Sequence, residues 1–229
     1  MYARGKKTEI ATKVDKSPSE IITATPLVIK VIVSLYRKHR GENVLRNLLN
    51  ETVEDFLAVQ NLQLCLSPSE LYRSWVNKLE CESGKPSGMA YELSTQRVLE
   101  VPEIRAQLKV NIESVKFYTS MFLGLILRSL NKLPYGLRYI AKVLRTTLKQ
   151  KFPQASEREI IKIIGNLVYY RFINSAICSP DAYDVVDVKT LSHDQRKNLV
   201  CIAKHLQLIS ISKGYGDAEN GHLACLNIF

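Results

Sequence analysis

Four histidines (His39, His193, His205, His222) and five cysteines (Cys65, Cys81, Cys178, Cys201, Cys225) are the residues that could hold a metal or act as nucleophiles. Their spacing serves neither task. No His-Glu-x-x-His run, Cys-x-x-Cys pair or Gly-x-Ser-x-Gly elbow occurs, so metal-dependent and nucleophilic catalysis have no support and no cofactor is implied. Ser83-Gly84-Lys85-Pro86-Ser87-Gly88 is not a phosphate-binding loop, because the required Gly-Lys-Ser/Thr order is missing. Arginine remains. One guanidinium reaching another protein's phosphates supplies both positioning and charge neutralisation to phosphoryl transfer. Such an arginine has to sit on an exposed loop, and Arg4-Gly5 in the polar opening segment meets that condition; a merely solvated basic terminus is the plain alternative. Arg171 stands between aromatics at the end of an apolar helix. It could complement the helix C-terminus, hydrogen-bond to carbonyls of a neighbouring loop, or keep its head in water while its stem packs.

The chain that must position these arginines has 229 residues, 46% hydrophobic and 24% charged, which is globular usage with enough apolar surface for one substantial core. Cysteines without a pairing framework suit reduced thiols in a cytosolic protein. The apolar run from Leu27 to Leu35 is interrupted by lysine and falls short of a membrane span, and no secretory signal follows Met1. The net charge of +10 is either a plain solvated surface or matched to a partner, for which nucleic acid, acidic lipid and an acidic protein surface are the candidates. Its cations are spread along the chain without interleaved aromatics, zinc-finger spacing or a basic zipper, so nucleic acid is disfavoured against an acidic protein surface.

The periodicity is helical almost throughout. Thr25-Pro26 opens a first helix carrying Leu27, Val28, Val31, Ile32 and Leu35, and Glu42 to Leu57 makes a second. Ser67-Pro68-Ser69-Glu70 reads as a capping box for a third, running to about Cys81 before the Ser83–Gly88 loop. A long helix spans about Pro102 to Asn131 and another Leu137 to Lys151, separated by Leu133-Pro134-Tyr135-Gly136. Ser156 with Glu159 caps a segment from Glu157 to about Asn174 that is apolar on more than one side and so central to the core. Residues Ser175 to Val188 read as irregular, Ser192 caps a helix to about Ile209, Gly214 to Gly221 is a loop, and Leu223 to Phe229 opens a further element. The whole, residues 1–229, reads as one all-α unit, a fragment of a longer protein.

Leu133-Pro134-Tyr135-Gly136-Leu137-Arg138, Lys162-Ile163-Ile164-Gly165-Asn166-Leu167 and Tyr169 to Ile177 together resemble the Ras-GAP family, in particular its IQGAP branch. Tyr72-Arg73-Ser74-Trp75-Val76-Asn77, Phe152-Pro153, Ser179-Pro180-Asp181-Ala182-Tyr183-Asp184 and Asp194-Gln195-Arg196-Lys197-Asn198-Leu199 extend the resemblance over essentially the whole chain. It implies an all-helical Ras-GAP-type domain whose groove binds the switch regions of a GTP-bound small GTPase, Ras-like or Cdc42/Rac. Tyr169 to Ala176 is similar to the family's Phe-Leu-Arg-x-x-Asn-Pro-Ala signature, with Arg171 as its arginine, which in catalytic members braces the finger loop. The implied GTPase contacts are Tyr170, Asn174, Ser175, Ala176 and Lys204. The chain departs at Tyr170, where catalytic members carry leucine, and at Ser175, where they carry proline; paired tyrosines are the IQGAP style.

Two functions follow from the resemblance. Tyr2-Ala3-Arg4-Gly5 with Ile10-Ala11-Thr12-Lys13 resembles the finger loop of active Ras-GAPs, which makes Arg4 the candidate arginine finger of an activator that stimulates hydrolysis. IQGAP scaffolds generally carry threonine there and hold active Cdc42 or Rac without accelerating hydrolysis. Either implies a cytoplasmic protein, brought to membrane or cortical cytoskeleton through its partners.

Overall fold

Three serines open three of the helices. The computed structural model describes residues 43–187, 190–216 and 221–229 together with Val31 and Ser34; the Arg4 loop and the Thr25 cap lie outside the described residues. Ser156 and Ser192 each accept from the backbone N–H three residues on, while Glu159 and Gln195 reach back to the serine N–H, so both ends are reciprocal boxes. Ser67 also accepts from the N–H of Glu70, but the return contact expected from Glu70 is not made. Its carboxylate turns instead to Lys197, 2.6 Å away on another helix, because a full charge is the stronger partner.

In chain order the helices are α1 (Val44–Ala58), α2 (Pro68–Ser83), α3 (Thr95–Glu100), α4 (Pro102–Arg128), α5 (Tyr135–Lys151), α6 (Glu157–Gly165), a π-helical segment (Asn166–Ile173), α7 (Asn174–Cys178) and α8 (His193–Ser210). Short 3₁₀ turns lie at Leu130–Lys132 and Gly221–Leu226. No strand occurs among the described residues, as the all-α reading requires. None of the described helices is long and apolar enough to cross a membrane. α2 stops at Gly84, whose φ of 64° is the left-handed cap that glycine adopts without a Cβ penalty.

The core is built around α4. Ile104, Leu108, Ile112, Val115, Phe122 and Ile126 recur along its buried stripe, and α1, α2 and α8 pack on it. Phe56 of α1 sets its ring edge-on to Tyr118 and Phe122, with centroids 4.9 and 5.8 Å apart. Two buried asparagines fasten the connection between α1 and α2 to this core. Asn198 accepts from the Leu64 N–H at 2.9 Å and donates to the Leu62 carbonyl at 2.7 Å, and Asn111 donates to the Cys65 carbonyl at 2.7 Å. A loop that would otherwise bury unsatisfied backbone is thereby paired.

Two expectations need correcting. Ser175 to Val188 is not irregular from its start: the helix runs on to Cys178, where the Ser179 N–H still donates to the Ser175 carbonyl and Pro180 follows. Ala176 and Ile177 drive the extension, since both are fully buried. Residues 179–187 are held rather than loose, because Asn43 and Asn50 donate to the carbonyls of Tyr183 and Val185, at 2.8 and 2.9 Å; Val188 lies outside the described residues. Leu223 and Leu226, expected to begin a new element, belong to a 3₁₀ turn that buries both.

Candidate functional site

From α6 into α7 the buried positions are Ile160, Ile163 and Leu167, then Tyr169, Phe172, Ile173, Ala176 and Ile177. Each set alone has helical spacing, but the step from Leu167 to Tyr169 is too short for a continuous α-stripe. The π-helical segment takes up the difference: the Asn174 N–H donates to the Tyr169 carbonyl, five residues back. Continued as α-helix, the first stripe would put Arg171 and Asn174 in the core. The one-residue slip turns Tyr170 outward, leaves Arg171 and Asn174 half-buried at the edge of the core, and brings Ala176 in.

The segment is clamped to α8 at two points. The buried Tyr169 hydroxyl donates to the Ala203 carbonyl at 2.8 Å, and burial pushes that phenol well above its ordinary pKa. At Gly165 the backbones come so close that an added Cβ would lie 2.3 Å from the Ser210 carbonyl oxygen. Tyr169→Phe should therefore lower stability by about 1 kcal/mol, the net worth of one hydrogen bond, because the Ala203 carbonyl keeps its place in the helix. Denaturant melts of the two proteins check this.

Arg171 sits with its guanidinium carbon 5.2 Å from the centre of the Tyr170 ring, a cation–π contact that orients the charge along the helix surface. Tyr170 is 36% exposed, and Arg171, Asn174 and Ser175 are half-buried. Asn174 Oδ1 is buried and accepts no hydrogen bond, which leaves one acceptor open beside Arg171 in sequence. Lys204, exposed, follows Ala203 on α8, so the Tyr169 bond ties its backbone to the same helix. Its charge also reaches Cys178, where it opposes the rise in thiol pKa caused by burial. The structure thus brings Tyr170, Arg171, Asn174, Ser175 and Lys204 to neighbouring elements. Ala176, expected at the contact surface, has none to offer: it is fully buried. Arg4 lies outside the described residues. Gly165 and Tyr169 entered the motif reading only as part of the resemblance; their positioning roles come from the close approach to Ser210 and the bond to Ala203.

The sequence profile described as "GTPase-activator protein for Ras-like GTPase" matches residues 6–210. The chain belongs to the Ras-GAP family. Its relatives include the Ras GTPase-activating-like protein IQGAP2 of Mus musculus, 42% identical over 96% of the chain and 14% of that protein. The human Ras GTPase-activating-like protein IQGAP3 is 36% identical over the same shares, 96% and 14%. The Dictyostelium discoideum Ras GTPase-activating-like protein rgaA is 31% identical over 91% of the chain and 25% of its own length. The chain thus spans about one-seventh of the IQGAP-type relatives, and within that span this Ras-GAP domain is of the IQGAP type.

On the inner side of the Ras-GAP helix α8, His205 is held between two partners. Its Nδ1 lies 2.8 Å from the Cys201 carbonyl, which only accepts, so that nitrogen carries the proton and Nε2 accepts from the Tyr215 hydroxyl at 2.7 Å. Burial pulls His205 below its ordinary value of 6.5, and pushes the Cys201 thiol and the Tyr215 phenol up to about 12. Below 6.5 an unfolded chain takes a proton that folded His205 refuses, so stability falls as pH drops. Above 9.0 an unfolded thiol loses a proton that folded Cys201 keeps, so stability falls as pH rises. Melting temperature should therefore be flat between those limits, and His205→Gln should make the acid limb shallower.

Proposed function

We propose that this domain binds a GTP-loaded small GTPase against the face carrying Tyr170, Arg171, Asn174, Ser175 and Lys204, and stimulates its GTP hydrolysis with Arg4 as arginine finger. The observation that supports the reading is the stripe slip at the π-helical segment, since it keeps Tyr170 and Arg171 out of the core on a helix that is otherwise buried and leaves the amide oxygen of half-buried Asn174 unpaired beneath them. The protein supplies no nucleophile of its own in this reaction. Arg171 acts as a brace, its guanidinium donating to carbonyls of the finger loop, and Lys204 meets acidic groups of the partner. The +10 net charge steers the encounter toward an acidic surface.

A second reading is favoured by the tyrosine pair Tyr169-Tyr170 and by the IQGAP-type relatives. In it the same face holds GTP-bound Cdc42 or Rac and leaves hydrolysis unaccelerated. Single-turnover GTP hydrolysis by Ras and by Cdc42, with and without the domain, separates the two. Acceleration is the expected result; tight GTP-dependent binding with no acceleration of either GTPase would sink the first reading in favour of the second. Arg171→Ala should reduce the stimulated rate while GTP-dependent binding persists, which a titration at matched fold stability measures.

A further inference from the structure

The stretch between Glu113 and Glu157 contains eight lysines and arginines and no acidic residue, so it carries most of the chain's net +10. Helix α5 displays much of that charge on one side. Tyr135, Arg138, Tyr139, Lys142, Arg145 and Lys149 fall within an arc of about 120° at 3.6 residues per turn, and all six are exposed. Leu137, Leu144 and Leu148, all buried, occupy the opposite arc. The two tyrosines stack on one another, centroids 6.1 Å apart, yet stay 74% and 48% exposed. The end of α4 and the turn that follows it add Leu127 and Leu130, 58% and 42% exposed, beside Arg128 and Lys132. Glu157 is shared by Arg145 and Lys149, which leaves one of those charges uncompensated, and Lys142 makes no ion pair among the described residues.

The geometry points to α5 as a membrane-surface contact: its exposed face lies on a bilayer rich in anionic phospholipid, with the cations at headgroup phosphates and Tyr135 and Tyr139 at the interface. Charge complementarity carries the choice of occupant, and composition separates a bilayer from an acidic protein. Protein interfaces are depleted of lysine at their centres, whereas lysine, exposed tyrosine and exposed leucine together are what a headgroup layer accommodates. The face also runs for about 25 Å along the 17-residue helix, a length that suits a broad charged plane. It turns away from the helices on which Leu137, Leu144 and Leu148 pack, so a domain seated on it keeps those contacts. This inference is independent of whether the domain accelerates hydrolysis.

Co-sedimentation of the full chain with vesicles tests it, using phosphatidylcholine alone and phosphatidylcholine with about one-third phosphatidylserine, where each lysine near such a surface contributes roughly fivefold in affinity. Wild type should bind the anionic vesicles and not the neutral ones, and should be released by salt. Lys142→Gln with Lys149→Gln should weaken binding by about thirty-fold. Lys78→Gln with Lys109→Gln, exposed lysines of α2 and α4, should leave it unchanged. Failure of wild type to prefer anionic vesicles overturns the proposal without needing any variant. Equal losses from both lysine pairs would reduce it to unspecific charge. If the α5 pair instead weakens binding to GTP-loaded Ras or Cdc42 in solution and spares vesicle binding, the occupant is an acidic protein and the proposal fails.

Discussion

Arg4→Ala should lower the stimulated single-turnover rate of GTP hydrolysis by roughly 10³-fold or more, the largest effect any single substitution in this chain is expected to have. The scale of roughly 10³–10⁵ is the known worth of the arginine finger that Ras-GAP domains, the family of this chain, supply to Ras-type GTPases, and the expectation for Arg4 is taken over from it. The physical ground is that phosphoryl transfer asks its catalyst for charge neutralisation and positioning, and one guanidinium supplies both. Binding of the GTP-loaded partner should change far less, because the finger's interaction is strongest in the transition state. Arg4→Lys should recover little, since an ammonium keeps the charge but loses the planar fork. A stimulated rate unchanged in Arg4→Ala would assign the catalytic charge to another residue; no stimulation by the wild type would assign the domain a holding role.

The two arginines were legible to different degrees, for a physical reason. A finger is a property of a loop, and loops are read from polarity and motif alone, so Arg4 stands on the resemblance. Arg171 could be read further, because an arginine amid Tyr169, Tyr170 and Phe172 on an apolar helix calls for an outward path. What periodicity did not convey was how the path is made. Residues apolar on more than one side placed the helix centrally in the core, where it lies, but they form two stripes offset by the π-helical slip, and the second stripe takes Ala176 away from the surface the motif assigned it. Caps were the most legible signals, since a serine and a glutamate or glutamine three residues apart act locally; Ser156 and Ser192 behave as read, and Ser67 loses only the half of its box that Lys197 draws off. Helix α3 was invisible in the pattern because its six residues bury one side chain, Val98. Six residues hold no repeat to detect.

Gly165→Ala should destabilise the fold by about 3 kcal/mol, against what helix propensity predicts. Gly165 lies in helical conformation, φ −59°, so on propensity alone alanine would add about 1 kcal/mol of stability. The neighbour decides the sign. A Cβ there would meet the Ser210 carbonyl oxygen at 2.3 Å, and a backbone atom has no rotamer by which to withdraw. Relief requires the end of α8 to move off the π-helical segment, which pulls on the Tyr169–Ala203 hydrogen bond and changes how Lys204 stands to Arg171. For a domain of this length the loss corresponds to a fall in melting temperature of about 6–12 °C, with GTPase binding reduced in the folded fraction. Gly84→Ala is the contrasting case: its Cβ would meet nothing within 4 Å, and only the left-handed φ of 64° opposes it, at a cost of about 1 kcal/mol. Calorimetry of both variants ranks the two causes, and an alanine at 165 that raised the melting temperature would show that α6 and α8 are not in the close register on which the site's geometry depends.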